Sequence, residues 1–163
     1  MTGVIALLVV LLLLMLLSWR NRKRRQSFLA SPEAVPEALG AIHGVFDGLY
    51  VATTIAGDRL NRVAVQGLGF RAQATLTVAE RGIVLALRGS NDVFIPVERI
   101  LQVDRATWTI DRAVERDGLV QISWTLGPLG AGTDLDSFFR LDSPTELLVA
   151  LTTIFPAPIG RKA

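Results

Sequence analysis

Apolar and polar residues alternate along most of the chain beyond Gly44, and this pattern predicts a series of short β-strands. The clearest case is residues 70–79, where apolar side chains at even positions face one way and polar side chains at odd positions face the other. The even positions are Phe70, Ala72, Ala74, Leu76 and Val78, and the odd positions include Arg71, Gln73, Thr75 and Thr77. Such a strand has one buried and one solvated face.

Turn residues divide the same region into several predicted strands. These span residues 48–55, 70–79, 83–89, 93–97, 100–110, 119–126 and 135–142. The polar stretch 57–62 is predicted as the turn after the first strand. Pro96 marks a strand edge or a strand end, because proline has no N–H to donate. Alternation within 119–126 directs Trp124 into the core, whereas Trp108 is left unassigned.

The period lengthens to that of a helix near the C-terminus. Ser143, Pro144 and Glu146 form an N-terminal helix signal with a capping box, and Pro156 and Pro158 end the pattern. Apolar residues recur on one face of this predicted helix: Leu147, Leu148, Leu151, Ile154 and Phe155. The combined prediction is a mainly β fold, a strongly bent antiparallel sheet or partly open barrel of about seven strands capped by a C-terminal α-helix.

The N-terminus carries an unbroken apolar run. From Val4 to Leu17 every residue is apolar, and no charged residue occurs before Arg20. As a helix, residues 1–19 would extend about 28 Å, close to the roughly 30 Å hydrocarbon thickness of a bilayer. The sequence therefore predicts one transmembrane helix, with Trp19 at the depth of the lipid headgroups.

A dense basic cluster follows the apolar run directly. Its members are Arg20, Arg22, Lys23, Arg24 and Arg25. Basic residues that flank a membrane helix stay on the cytoplasmic side, so we expect a single pass through the plasma membrane, with the N-terminus outside and the C-terminal domain in the cytoplasm. The cluster has two interpretations. It sets the orientation alone, or it also binds anionic lipid headgroups, at about 1 kcal/mol per side chain.

Composition divides the chain into four predicted parts. The transmembrane helix covers residues 1–19, and a basic juxtamembrane segment and linker with several prolines and glycines covers residues 20–44. The β-rich domain occupies residues 45–157, and residues 158–163 form a short tail.

The charged residues are unevenly distributed. Five of the 17 Lys and Arg residues lie between positions 20 and 25, whereas residues 26–160 contain ten arginines and all 15 acidic residues. The predicted domain is therefore acidic, which argues against a nucleic-acid partner. Cysteine is absent, which excludes disulfides and thiolate sites.

Candidate catalytic and metal-binding residues are few. His43 is the only histidine and falls in the linker, so we expect no catalytic set, no cofactor and no enzyme activity. Asp134 and Asp136 would point to one side of a strand, either as part of a cation site or as solvent-facing carboxylates. No metal site is predicted, because further oxygen ligands are lacking nearby. Phe138 and Phe139 point to opposite faces, so we expect one of them to be exposed or covered by the terminal helix.

Two longer stretches carry a resemblance to a known family. Residues 50–74 (YVATTIAGDRLNRVAVQGLGFRAQA) and residues 94–106 (FIPVERILQVDRA) resemble small bacterial single-span membrane proteins with a PH-like domain, some of which are labelled transporter or export proteins. The resemblance covers nearly the whole chain. It implies a PH-like domain behind a membrane anchor.

The resemblance also bears on ligand contacts. Lipid-binding members of the PH superfold hold inositol phosphates with a Lys-x-Arg type pattern around the first hairpin. The comparable turn here carries Arg59 and Arg62 beside Asp58, with Arg71 at the start of the next strand and no lysine. The three arginines are candidate contacts for a phosphate or carboxylate, and the alternative is that they are solvated turn charges.

Together these observations favour a membrane-anchored binding module whose sheet edge or inter-strand groove recruits a protein or lipid partner at the inner face of the membrane. The alternative is an accessory subunit of a membrane transport or export complex. A single apolar helix without polar residues cannot line a conducting path, so this alternative requires further subunits. The sequence indicates neither the identity of the partner nor the oligomeric state.

Overall fold

The computed structural model describes residues 2–25, 29–64, 67–106, 118–128 and 130–155, with the side chains of residues 2, 3, 6, 18–25 and 59 outside the description. The elements in chain order are α1 (Thr2–Arg25), β1 (Ile42–Ile55), β2 (Asp58–Arg62), β3 (Ala72–Ala79), β4 (Gly82–Leu87), β5 (Val93–Pro96), a 3-10 helix (Val97–Arg99), β6 (Ile100–Ala106), β7 (Leu119–Leu126), β8 (Thr133–Leu141) and α2 (Pro144–Ile154). Trp108 and residues 156–163 lie outside the described residues.

The strands form one antiparallel sheet in the spatial order β5-β4-β3-β1-β8-β7-β6, with β2 paired to β1 beside this path. β5 and β6 occupy opposite ends of that order, yet only Val97–Arg99 separates them in sequence. Six strand spacings would span about 29 Å in a flat sheet, whereas a link of this length reaches at most about 14 Å. The sheet must therefore curl until its two edges approach each other, as the predicted bent sheet requires.

The inside of the curled sheet holds the main hydrophobic core, and α2 contributes to it. Alternate residues of β7 face this core, and Trp124 is 1% exposed, so the predicted alternation and the predicted core position are confirmed. From α2, Leu147 and Leu151 are fully buried in the same cluster. Burying an aliphatic side chain of this size contributes about 1.5–3 kcal/mol, so the terminal helix is a structural part of the domain.

Helix α1 joins the apolar run and the basic cluster in one 24-residue element. Its described side chains between Val4 and Leu17 are all exposed. Within the part of the chain that the structure describes, no helix has the length and apolarity needed to cross a membrane. The transmembrane span over residues 1–19 is therefore not confirmed and stays a prediction.

Part of the predicted linker packs against the sheet. Leu29 is buried in the main core, and Glu33 forms an isolated β-bridge with Phe94 at the outer edge of β5. The carboxylate of Glu33 also pairs with the guanidinium of Arg99. β1 begins at Ile42, before the end of the predicted linker.

Two local predictions around the first hairpin are wrong. The stretch 57–62 was expected to be a turn, but the turn is limited to Ala56 and Gly57, and Asp58–Arg62 forms a strand. Gly57 has φ +79°, which closes the hairpin in two residues and leaves the polar residues free to pair. Phe70 was expected on the core face, but it is 73% exposed, because β3 starts only at Ala72.

The predictions for Pro96 and α2 are confirmed in position. β5 is an edge strand of the sheet path and ends at Pro96. α2 begins at Pro144 with Ser143 as its N-cap, but the Ser143 side chain makes no capping hydrogen bond, so the predicted capping box is wrong. The ψ of Ser143 is 69°, outside the extended region from which an N-cap side chain reaches back to the first turn.

A β-bulge in the middle of β1 changes the faces of its residues. The register with β8 shifts between Tyr50, which pairs with Phe139, and Ala52, which pairs with Phe138. Phe139 faces the main core, and Phe138 belongs to a second buried cluster with Val51, Ala52 and Leu119. The two phenylalanines do point to opposite faces. Both are buried, so neither is exposed, and Phe139 shares its cluster with Leu147 and Leu151 of the terminal helix.

Candidate functional site

The residues predicted to contact lipid headgroups lie at the end of α1. The backbone is helical through Arg25. The side chains of Trp19, Arg20, Arg22, Lys23, Arg24 and Arg25 are outside the described part of the chain. Headgroup contact by this cluster stays a prediction.

The three arginines named as ligand contacts have different surroundings. Arg62 is half-buried, and its Nη2 donates to the carbonyl oxygen of Val51 in the bulge at 3.1 Å. Arg71 is exposed just before β3. Arg59 belongs to β2, with its side chain outside the description. Arg62 thus supports the backbone of β1, and ligand binding by the three arginines stays a prediction.

The other chemical candidates occupy the sheet surface. The Oδ1 of Asp134 accepts a hydrogen bond from Thr125 at 2.7 Å, and the Oδ1 of Asp136 accepts one from Ser123 at 2.6 Å. Each aspartate is thus bonded to the hydroxyl of its cross-strand neighbour on β7. His43 is exposed near the start of β1. Across the described ranges, no three side chains of metal-ligating type come together.

A groove of about 730 Å³ crosses the outer face of β8, β1, β3 and β4. This feature is the four-strand groove, and its outward-facing lining residues are Arg140, Leu49, Gln73, Arg88, Asp142, Asp47, Thr75 and Ala86. Inward-facing residues between them, such as Gly48, close its floor. An added Cβ at Gly48 would lie 2.4 Å from the carbonyl oxygen of Arg140, so glycine permits the close approach of β1 and β8 beneath the groove.

Strand register sorts these residues into two rows. The first row runs from Arg140 through Leu49 and Gln73 to Arg88. The second row, two positions further along each strand, runs from Asp142 through Asp47 and Thr75 to Ala86. Two residues of a strand span about 6.8 Å. A cationic row therefore lies beside an anionic row at about that distance.

The charges at the β8 side of this groove are not paired with each other. Asp47 accepts from the Thr75 hydroxyl at 2.6 Å, and Arg88 donates to the Oε1 of Gln73 at 3.2 Å. Among the residues that the structure describes, the side chains of Arg140 and Asp142 make no hydrogen bond or ion pair. Both side chains are exposed. They are available to a ligand that carries charge.

A second groove, of about 520 Å³, lies between the first half of β1 and α2. This feature is the edge groove, and its lining residues are His43, Gly44, Val45 and Phe46 from β1 and Thr145, Glu146, Val149, Ala150 and Thr153 from α2. Val45 and Val149 are 57% and 64% exposed, so two large apolar side chains face solvent in the groove. Glu146 is exposed within the same lining.

The backbone of β1 has a free edge in this second groove. β8 pairs with β1 only from Gly48 onward, and the N–H of Asp142 donates to the carbonyl oxygen of Asp47 at 3.1 Å before the chain enters α2. In an antiparallel ladder the N–H and C=O of one residue point to the same side, and alternate residues share that side. Because Asp47 points towards β8, Val45 also points that way, beyond the end of β8. Its N–H and C=O therefore face the edge groove.

A series of buried hydrogen bonds, the buried relay, joins Tyr50, Thr53, Ser137 and Trp124. The hydroxyl of Tyr50 is 2.9 Å from the carbonyl oxygen of Leu68 and 2.8 Å from the Oγ1 of Thr53. Thr53 lies 2.7 Å from the Oγ of Ser137, which accepts from the Nε1 of Trp124 at 2.9 Å. Residues three apart on a regular strand point to opposite faces, so the bulge in β1 is what brings Tyr50 and Thr53 together.

The donor and the acceptor of each hydrogen bond in the buried relay follow from counting the available hydrogens. Tyr50 has one hydroxyl hydrogen, and the carbonyl of Leu68 can only accept, so Tyr50 donates to Leu68 and accepts from Thr53. The hydrogen of Thr53 is then used, so Ser137 donates to Thr53 and accepts from the Trp124 indole. Every hydroxyl in this relay both donates and accepts once. The polar groups are therefore satisfied although they are buried.

Burial raises the pKa of Tyr50 to about 12, against the opposing effects of the Thr53 hydrogen bond and the Arg62 charge. An unfolded tyrosine ionises near pH 10. The folded state therefore retains the Tyr50 proton to a higher pH than the unfolded state does. The resulting stabilisation, about 2–3 kcal/mol, is complete below about pH 10 and is lost as the pH rises towards 12. We expect the free energy of unfolding, measured by urea titration at each pH, to decline in that window.

The single tyrosine makes this prediction easy to check. Tyr50 is the only tyrosine in the chain, so tyrosinate absorbance reports its ionisation without interference from another phenol. Tyr50→Phe is expected to lower the free energy of unfolding at neutral pH but to abolish its decline between pH 10 and pH 12. Ionisation of the folded chain near pH 10 would contradict the burial argument.

Most of these features depend on contacts between distant parts of the sequence. The two rows of the four-strand groove combine residues near positions 48, 74, 87 and 141. The only local signal was the alternation that placed Gln73 and Thr75 on a solvated face. The free edge of β1 depends on where β8 stops pairing, which no single segment reveals.

Comparison with known proteins identifies the domain. The family model described as Bacterial PH domain-like matches residues 29–154. A comparison with curated proteins finds no match. The matched range runs from the buried Leu29 to the end of α2, so it covers the whole curled sheet and its helix. This chain belongs to the Bacterial PH domain-like family.

Proposed function

We propose that the protein is a membrane-anchored binding module, in which α1 holds the PH-like domain at the inner face of the plasma membrane and the edge groove recruits a partner protein. The partner contributes an extended segment that adds as a strand beside the first half of β1. The observation that carries the proposal is the free backbone edge at Val45, flanked by the exposed side chain of Val149.

The anchor is supported by the character of α1. The part of α1 before the basic cluster, residues 2–19, is about 27 Å long, close to the roughly 30 Å hydrocarbon thickness of a bilayer. Apolar side chains from Val4 to Leu17 are exposed around the helix, and contiguous apolar surface of this kind favours a membrane or a protein partner. The basic cluster at positions 20–25 supports a cytoplasmic location for the domain that follows.

Strand addition is supported by the chemistry of the edge groove. Unpaired N–H and C=O groups on a strand edge provide hydrogen bonds to an extended peptide, whatever its side chains. Val45 and Val149 provide contacts for an apolar side chain of that peptide, and Glu146 favours a basic residue next to it. The predicted partner segment is therefore extended, apolar and basic.

The β5 edge of the sheet is less suited to strand addition than the edge groove. The outer edge of β5 is bridged by Glu33 and ends at Pro96, which cannot donate a hydrogen bond. In contrast, the edge groove combines a free strand edge with a helix that forms its opposite wall. Peptide-binding grooves commonly use this pairing of backbone hydrogen bonds with side-chain pockets.

Site-directed photo-crosslinking in intact cells tests the proposal. A photoreactive residue at Val45 or Val149 is expected to give the same discrete crosslinked protein, whereas one at Leu60, which is 79% exposed on β2, is expected not to. Val149→Lys should reduce the Val45 crosslink at least fivefold, because it removes an apolar contact and places a positive charge beside Glu146, where the basic residue of the partner segment would bind.

A backbone variant separates strand addition from simple surface adhesion. Val45→Pro removes only an N–H that points away from β3, so the β3 ladder is retained. We expect an unchanged circular dichroism spectrum and loss of the crosslink at Val149. A folded Val45→Pro chain that crosslinks normally would exclude strand addition, and equal crosslinking at Leu60 would exclude the edge groove.

A further inference from the structure

The four-strand groove is a separate feature from the edge groove, and its charges have no role in the proposed strand addition. It is an open groove of about 730 Å³ lined by two arginines and two aspartates, so its charged side chains sum to zero. A neutral total disfavours a simple anion or a simple cation, because each is attracted by one row and repelled by the other. A molecule with both charges, suitably separated, is attracted by both rows.

We infer that the four-strand groove binds a small zwitterion that carries a phosphate and a primary ammonium group, of the phosphoethanolamine type. The first row supplies the phosphate site, where Arg140 and Arg88 flank Leu49 and Gln73. The second row supplies the ammonium site at Asp142 and Asp47. The separation of about 6.8 Å between the rows suits two charges on one short molecule.

The phosphate site depends on the reach of two guanidiniums. Arg140 and Arg88 start from strands three spacings apart, or about 14 Å. Both side chains are exposed, and arginine is long enough to lean inward over the residues between. Each guanidinium presents a planar set of donors that fits phosphate oxygens. Arg140 has no partner to give up among the described residues, and Arg88 has only the amide of Gln73.

The ammonium site is already shaped by one hydrogen bond. Thr75 donates to the Oδ1 of Asp47 at 2.6 Å, which fixes that carboxylate and leaves its second oxygen for a ligand. Asp142 is held next to it by the backbone hydrogen bond from its N–H to Asp47. A primary ammonium has three N–H donors and can bind both carboxylates, whereas a quaternary ammonium has none.

Arg140 and Asp142 are the two charged side chains of the groove that have no partner among the described residues. They lie two positions apart on one face of the chain at the end of β8, yet they form no ion pair with each other. Both side chains are therefore available to a ligand that carries one charge in each row.

Calorimetric titration of the full chain in detergent micelles tests this inference, with phosphoethanolamine as the probe and with inorganic phosphate, ethanolamine and phosphocholine as comparisons. We expect phosphoethanolamine to bind at least about tenfold more tightly than the other three. Arg140→Gln and Asp142→Asn should each weaken its binding about five- to tenfold, because each removes one charge-assisted contact. Arg81→Gln, on the turn before β4, is the matched control and should bind normally.

Each alternative result has a definite meaning. Equal binding of phosphate and phosphoethanolamine would overturn the two-charge site, and normal binding by both groove variants would overturn its location. The same titration in phosphatidylethanolamine and phosphatidylglycerol nanodiscs separates the sources of the ligand. If the natural ligand is a lipid headgroup, phosphatidylethanolamine occupies the groove, and added phosphoethanolamine binds more weakly in those nanodiscs than in phosphatidylglycerol nanodiscs. If the natural ligand is the free compound, phosphoethanolamine binds equally in both. Failure of the edge-groove crosslinks would leave these results unaffected.

Discussion

Ser137→Ala is expected to lower the free energy of unfolding by about 2–4 kcal/mol, a large loss for a domain of this size. The Ser137 hydroxyl joins the indole N–H of Trp124 to the Oγ1 of Thr53 in a site that is fully buried. Without it, the Trp124 N–H has no acceptor and Thr53 has no donor. An unsatisfied buried polar group costs about 1–3 kcal/mol, so two such groups account for the expected loss. Urea unfolding followed by tryptophan fluorescence measures it.

Ser123→Ala is the matched control for this prediction. Ser123 also bonds across the β7–β8 pair, to Asp136 at 2.6 Å, but on the outer face, where water can replace the lost hydroxyl. We expect its effect on the free energy of unfolding to stay below about 1 kcal/mol. Equal losses in the two variants would show that the buried relay contributes no more than a surface hydrogen bond.

The buried relay also shows where strand alternation fails as a guide. In β7 a strict period of two correctly places Trp124 in the core, because β7 pairs with β8 without a register shift. In β1 the same rule fails at the bulge, where one extra residue turns Thr53 inward beside Tyr50. A bulge of this kind depends on the partner strand, so the sequence of β1 does not reveal it.

Predictions of where strands and helices end also succeed or fail according to whether the signal is local. Pro96 and Pro144 act through their own covalent structure, and both mark element boundaries as predicted. Ser143 depends on its backbone angles to cap α2, and the turn from β8 sets these angles to values that prevent the side chain from capping. Local signals therefore predict the mainly β fold and its terminal helix, whereas details set by tertiary contacts are missed.

The candidate binding surfaces are less predictable than the fold. The resemblance to the PH superfold pointed to Arg59, Arg62 and Arg71 around the first hairpin, and Arg62 bonds to the backbone of β1. Arg88 and Arg140 are 52 positions apart and are brought to one row by pairing through β1 and β3. Cross-strand neighbours of this kind become visible only when the register of four strands is known.

Deleting residues 2–25 is expected to move the protein from the membrane fraction to the supernatant while the domain stays folded. The 12 Leu, Ile and Val residues between Val4 and Leu17 favour insertion by roughly 4–7 kcal/mol in total, at about 0.3–0.6 kcal/mol each. The deletion removes this insertion free energy and the basic cluster, but it retains Leu29, which packs in the main core. Ultracentrifugation of cell extracts and circular dichroism of the released chain measure the two expected results.

Point substitutions test the same anchor in the full chain. An arginine at the centre of a membrane helix costs about 2.5–3.5 kcal/mol, so Val9→Arg with Leu12→Arg offsets most of the insertion energy. We expect this variant to be released, whereas Val9→Leu with Leu12→Ile, which keeps the helix apolar, stays with the membrane. Protease added outside intact cells should leave the domain uncut. Release of the apolar variant, or sedimentation of the chain that lacks residues 2–25, would show that α1 is not the anchor, and external cleavage of the domain would reverse the proposed orientation.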